Sequence, residues 1–232
     1  MTRGINIRDS SSDVVVIYNT VYRNGTSQSA KGAISVYQQI RSVLKNNILA
    51  ETLGPIDLWV DGGCVSDGNV VYNLRPLAVS FNGSEVSWEQ YRSASGQDAH
   101  SVTRNPMLVN PDQGDFTLAA SSPAVNSGVR LTETRTGGSG TSIPVTDARY
   151  FTDGFGVGMG DLIRVGKSGP VRITHVDHAN NSVSVEKELV WAKGDGVSLD
   201  YLGSASDIGA IEYGTSSEPG PGAPSGLTVV LQ

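Results

Sequence analysis

A single cysteine, Cys64, stands in 232 residues, which excludes an internal disulfide framework and any cysteine-built zinc site. Charge is also scarce: Asp, Glu, Lys and Arg make up 17% of the chain, below the usual quarter of a globular protein. No stretch approaches ~18 consecutive apolar residues, so no membrane span is expected. No charged segment followed by an apolar run stands at Met1, so no signal peptide is visible. Lys and Arg form no cluster and the formal net charge is -6, which argues against a nucleic-acid partner. What is abundant is glycine, 28 residues of it. With Ser, Asn and Thr it crowds between short apolar runs, the composition of many turns joining many short strands.

The first 75 residues repeat. Three segments open with an apolar–polar–apolar triplet: Ile5-Asn6-Ile7, Ile34-Ser35-Val36 and Ile56-Asp57-Leu58. Each triplet reads as a short strand with one face buried. Asn19, Asn47 and Asn69 follow thirteen or fourteen residues after the first Ile, and an aliphatic pair follows each Asn. The period is 29 and then 22 residues, with the extra residues assigned to the loop Asn24–Lys31. A period in the twenties with strands and no helical pattern indicates a β-solenoid. The three asparagines are expected to stack at one inward turn, each amide bonding the next coil; the alternative is three ordinary turn residues.

These residues carry a resemblance. The phrases Gly4–Ser10 and Ile17–Gly25 resemble coils of the right-handed parallel β-helix repeat proteins, the pectate-lyase-like superfold. Gly96–Ser101, Asn105–Asn110, Asp115–Leu118, Ser122–Gly128 and Asp207–Tyr213 resemble the ending of secreted bacterial members. The resemblance implies an all-β fold and an extracellular or cell-surface location. It is specific for architecture and weak for activity, since one fold hosts many functions.

Residues 131–205 break the coil pattern. Gly137-Gly138-Ser139-Gly140 reads as a flexible lead-in. Short alternating runs follow at Ile143–Val145, Leu162–Val165, Val171–Ile173, Val183–Val185 and Val197–Leu199, separated by turn chemistry at Asp177–Asn181 and Lys193–Gly196. The expectation is a small antiparallel β-barrel inserted between the coils and closing segment of residues 1–130 and a return strand within 206–214. Residues 215–232 read as a Pro/Gly linker and the start of a truncated following domain. No capping helix precedes Ile5. The chain is therefore expected to be the C-terminal portion of a longer protein, or to self-associate through an open coil end.

A solenoid presents side chains from successive coils in columns about 4.8 Å apart, a spacing that suits an extended polymer. The outward triplet positions hold Asn6, Ser35 and Asp57; the next positions hold Arg8, Tyr37 and Trp59, with Asp61 two residues beyond. Aromatic faces beside polar groups are what sugar rings use, so Arg8, Tyr37, Asp57, Trp59 and Asp61 are the candidate carbohydrate-binding residues. The bland alternative is that Tyr37 and Trp59 cover the shoulder of a coil.

Enzymes of the superfold resemble one of two designs. Lyases pair a basic proton acceptor with a group that neutralises a uronate, for which Arg8, Arg41 and Lys45 are available. Glycosidases cluster carboxylates, for which Asp57 and Asp61 are available, with Asp9 and Asp67 elsewhere. Neither set forms a complete motif, so binding to polysaccharide or a structural role is favoured over catalysis, and Lys45 reads as a solvated corner. The competing classes are a polysaccharide lyase or glycoside hydrolase and an adhesion or scaffold segment. His175, Asp177 and His178 read as a hairpin tip, and His100 as a structural corner with Asp98 bonding backbone. The run Gly154–Gly160 reads as a loop, because no Lys-Ser/Thr follows it. Calcium is the one cofactor considered, at the Asp61–Gly63 and Asp67–Asn69 turns. Cys64 reads as a small buried apolar residue.

Overall fold

The computed structural model describes residues 4–8, 11–25, 31–37 and 41–215. The linker and truncated domain expected over 216–232 lie outside them. The chain is mostly β, with one α-helix among the described residues.

Each of the first three repeats contributes three short strands. They are β1 (Ile5–Ile7), β2 (Val15–Ile17) and β3 (Thr20–Tyr22); β4 (Lys31–Val36), β5 (Ser42–Lys45) and β6 (Ile48–Ala50); and β7 (Ile56–Val60), β8 (Cys64–Asp67) and β9 (Val70–Tyr72). Equivalent strands pair in parallel, giving the ladders β1–β4–β7, β2–β5–β8 and β3–β6–β9. The apolar members face one interior: Ile34, Val36, Leu44, Leu49, Leu58, Val60 and Val71 are all at most 2% exposed.

The asparagines fix this stacking. Asn19 Nδ2 donates to Asn47 Oδ1 at 3.0 Å, and Asn47 Nδ2 donates to Asn69 Oδ1 at 3.1 Å. The backbone N–H groups of Asn19 and Asn47 donate to the same two oxygens. Asn69 Nδ2 continues to Asp98 Oδ1, so a carboxylate ends the column. The residues just before the three asparagines, Tyr18, Asn46 and Gly68, all have positive φ, which makes the sharp corner. A buried amide with every atom engaged satisfies backbone that no strand pairing reaches.

Register departs from the expectation at the third triplet. Ile34, Ser35 and Val36 pair with Leu58, Trp59 and Val60, two residues beyond Ile56-Asp57-Leu58. A bulge in β4 accounts for it: Lys31 pairs with Ile56, and the register then shifts before Ile34.

Strand β10 (Ala78–Phe81) adds in parallel to β7 and turns back into β11 (Ser84–Ser87) through Asn82-Gly83, both at positive φ. The helix α1 (Trp88–Ser95) follows, a departure from the all-strand expectation. Its signals are local: Ser87 and Gln90 form a reciprocal capping box, and Gly96 caps the end in left-handed backbone. Trp88 and Tyr91 bury into the coil core. The strands β12 (Leu108–Asn110) and β13 (Asp115–Leu118) then form a separate antiparallel pair.

The inserted segment holds β14 (Thr132–Glu133), β15 (Gly138–Pro144), β16 (Leu162–Val165), β17 (Val171–Asp177), β18 (Ser182–Trp191) and β19 (Gly196–Leu199). They form one antiparallel sheet in the order β14-β19-β16-β17-β18-β15, and a Thr134–Val145 bridge links its two edges. Gly138–Gly140, expected as a flexible lead-in, are part of β15. Gly138 pairs opposite Trp191, where a Cβ would stand 3.0 Å from the indole, so glycine lets the ring lie flat on the strand.

The insert's core is continuous with the coils. Val43 of β5 belongs to its apolar cluster, and Val15, Ile17 and Tyr18 pack against it. Lys45 is half-buried here rather than a solvated corner: its ammonium donates to Leu131 O at 2.9 Å and lies 5.3 Å from the Tyr150 ring centroid. Arg149 reaches from the insert to Asp13 and to Arg41 O, while Arg41 itself holds Asp13. The expected return strand at 207–213 is instead a bent segment without sheet pairing. Ile208 plugs a cluster with Ile48 and Val70, and Gly209 at φ 108° donates to Asn46 O. A Cβ on Gly209 would meet Ile48 Cδ1 at 2.6 Å, so the close approach requires glycine.

Two expectations follow. Asn47→Ala removes the acceptor of Asn19 N and Nδ2 and the donor to Val16 O, Lys45 O and Asn69 Oδ1. It should cost about 3 kcal/mol or more in chemical denaturation, and Asn19→Ala, at the half-buried end of the column, clearly less. Asp13 is held down to about 2, first by its hydrogen bonds to Arg41, with Arg149 adding attraction. A depressed carboxylate stabilises the fold above its unfolded pKa, and that contribution is lost as pH falls through the folded value. The melting temperature should therefore drop between about pH 4 and pH 2, and less steeply in Asp13→Asn.

Candidate functional site

The parallel register brings side chains from three coils to one place. Asn6 pairs with Ser35, and Ser35 with Trp59, so these three stand in one column across β1, β4 and β7. Arg8 and Tyr37 each follow the end of their strand, and Tyr37 N donates to Ile7 O at 3.1 Å. Asn6, Arg8, Ser35, Tyr37 and Trp59 line a groove of about 170 Å³. The Tyr37 and Trp59 rings meet edge to face, with centroids 5.2 Å apart at 65°. This geometry fixes each ring against the other while keeping their edges and faces near polar atoms.

Three of the five sequence candidates, Arg8, Tyr37 and Trp59, thus share one groove. Asp57 does not join them. Its carboxylate is 1% exposed and covered by the turn after β9. It accepts from Arg75 Nη1 at 2.9 Å, Asn73 Nδ2 at 2.9 Å and Ala78 N at 2.9 Å. Burial raises its pKa, opposed by those hydrogen bonds and by the Arg75 charge. Asp61 follows β7 at the level of Tyr37, outside the groove lining, and its carbonyl accepts from Cys64 N. Asn6 and Ser35, named only as outward positions in the sequence, line the groove; the strand alternation was the signal for them.

The remaining chemistry-bearing residues have structural partners. Arg41 pairs with Asp13. His100 Nδ1 lies 2.7 Å from Asp67 Oδ2, and Asp67 Oδ1 accepts from His100 N. Asp98 binds side chains rather than backbone: Tyr91 Oη and Ser101 Oγ donate to it beside Asn69. His175 Nδ1 lies 3.3 Å from Asp153, and Asp177 caps the β17–β18 hairpin by accepting from Asn180 N. Gly154–Gly160 form a turn in which Gly154 O accepts from Val157 N and Gly158 N. Cys64 is buried, and burial pushes its thiol up to about 12. Among the described residues no three His, Cys, Asp or Glu side chains stand close enough to hold a metal ion, and no helix is long and apolar enough to cross a membrane. Asp9 lies outside the described residues.

No protein-family model, curated protein or solved structure matches the chain. Functional argument therefore rests on this geometry.

The Asp57–Arg75 pair gives a test of what is structural. Arg75→Met strands a buried carboxylate and should cost about 3 kcal/mol or more in chemical denaturation. It should leave any ligand affinity of the Tyr37–Trp59 groove unchanged in the folded fraction.

Proposed function

We propose that the chain is a segment of a right-handed parallel β-helix carrying a small inserted β-barrel, and that it binds an extended polysaccharide along the Arg8–Tyr37–Trp59 face. The observation that carries the reading is the convergence of one cation, two aromatic rings and two small polar side chains from three successive coils. Rings supply stacking surface to the C–H face of a sugar, while Asn6 and Arg8 at the groove supply hydrogen bonds to its hydroxyls. Rungs about 4.8 Å apart give a polymer several equivalent contacts. Extracellular or cell-surface placement belongs to the same proposal.

Binding is favoured over catalysis by the positions of the would-be catalytic groups. Asp57, which a glycosidase design would need, is sealed under Arg75. Of the three bases open to a lyase design, Lys45 is held by Leu131 O and Arg41 by Asp13, which leaves Arg8 as the one basic side chain lining the groove. A lyase or hydrolase is therefore the second reading and a scaffold segment the third.

Affinity electrophoresis against a glycan panel, with absorbance followed for unsaturated uronate product and reducing ends assayed, separates the three. The proposal expects retardation by at least one polysaccharide, no product, and loss of retardation in Trp59→Ala with the melting temperature retained. Product formation would make the chain an enzyme. Neither retardation nor product would leave the scaffold reading.

A further inference from the structure

We propose that a second cavity, beside Tyr22, binds a small organic ammonium ion carrying one positive charge. This site is separate from the Tyr37–Trp59 groove and does not depend on the polysaccharide reading. The cavity measures about 480 Å³, within the range of small-molecule sites. Tyr22 of β3, Ala50 of β6 and Glu51 form one wall; Met107, Leu108 and Val109 on the β12–β13 side form the other.

Apolar groups dominate the lining, and among the described residues Glu51 is the one charged side chain in it. Glu51 Oε2 accepts from Tyr22 Oη at 3.1 Å and from Arg23 Nε at 2.9 Å. Arg23 also pairs with Asp112. Two carboxylates thus share one guanidinium, and the mouth keeps a net negative charge in a chain that is itself acidic. Among the described residues Glu51 Oε1 accepts no hydrogen bond, so that oxygen remains for a ligand donor. The Arg23 guanidinium sits 4.9 Å from the Tyr22 ring centroid, outside the residues that line the cavity.

Two non-glycine residues in left-handed backbone line the same space, Glu51 at φ 52° and Met107 at φ 53°. Met107 is pinned there: its N–H donates to Asn105 Oδ1 at 2.8 Å, and its carbonyl accepts from Ala119 N at 3.0 Å. A polarisable thioether suits the methylenes next to an ammonium. An anion would meet the carboxylates, and a neutral body would leave uncompensated the one negative charge by which Glu51 and Asp112 exceed Arg23. The chemistry selects a monocation, whether an alkylammonium or an amino sugar.

Isothermal titration of the folded chain with n-hexylammonium and with glucosamine tests this, with hexanol and N-acetylglucosamine as uncharged controls. At least one ammonium should bind, about tenfold or more tighter than its neutral counterpart, as a charge-assisted contact requires. Binding of hexylammonium alone identifies an alkylammonium site, and binding of glucosamine alone an amino-sugar site. Glu51→Gln should abolish the preference for charge. Ala119→Leu, which fills the cavity from its wall, should abolish binding at an unchanged melting temperature. Trp59→Ala should change nothing, so failure here and failure at the groove are distinguishable. The proposal is overturned if neither ammonium binds, if charged and neutral probes bind equally, or if Glu51→Gln keeps the preference.

Discussion

The column Asn19–Asn47–Asn69 is the interaction on which the rest of the structure depends. Each repeat turns a corner where backbone groups cannot pair in a sheet, and at Asn47 and Asn69 that corner is buried. An asparagine at that corner presents an acceptor to the coil before it and donors to its own coil and the next. Asn47 Oδ1 accepts twice from Asn19, and Asn47 Nδ2 binds Val16 O, Lys45 O and Asn69 Oδ1. This fixes the stagger between coils, and every ladder on either side inherits it. Asp98 ends the column because a carboxylate accepts from Asn69, Tyr91 and Ser101 and passes nothing on.

From that stagger follow the two features with functional content. Parallel pairing at fixed register sets Asn6, Ser35 and Trp59 in line and places Arg8 and Tyr37 one step beyond, which makes the groove. The β2–β5 side is meanwhile covered by the insert, whose core takes in Val43 and rests on Val15, Ile17 and Tyr18. Asn46, next to the ladder, grips both ends of the insertion: Val129 through its side chain and Gly209 through its carbonyl. The coil and the insert therefore share one packed boundary. Asp13, Arg41 and Arg149 form its charged edge.

Much of this was legible in the residues, and the failures have physical causes. The asparagine column could be read because a buried amide needs one residue type at one place in every repeat. The strands of the insert could be read from their alternation, although β17 and β18 extend well past the runs that announce them. The third triplet was misplaced by two residues because a two-residue slip preserves an alternating pattern, and the bulge in β4 leaves no mark in composition. Asp57 shares strand parity with Trp59, so nothing local told the two apart. Asn73 and Arg75, sixteen and eighteen residues later, are what cover it. The helix α1 is legible in its Ser87–Gln90 capping box, which an all-β reading passes over. Tertiary contact also decided the state of Lys45, which the insert covers from far along the chain.

The central claim is that the ladder-built face carrying Arg8, Tyr37 and Trp59 is where a glycan sits. Chemical-shift mapping of the folded chain during titration with a retained oligosaccharide addresses it most directly. A glycan on that face shifts the Trp59 indole N–H, the Tyr37 ring and the Arg8 guanidinium together and leaves the Asn47 and Asn69 amides undisturbed. Shifts confined to the cavity beside Tyr22 or to the insert, with the Trp59 and Tyr37 signals unmoved, would contradict it.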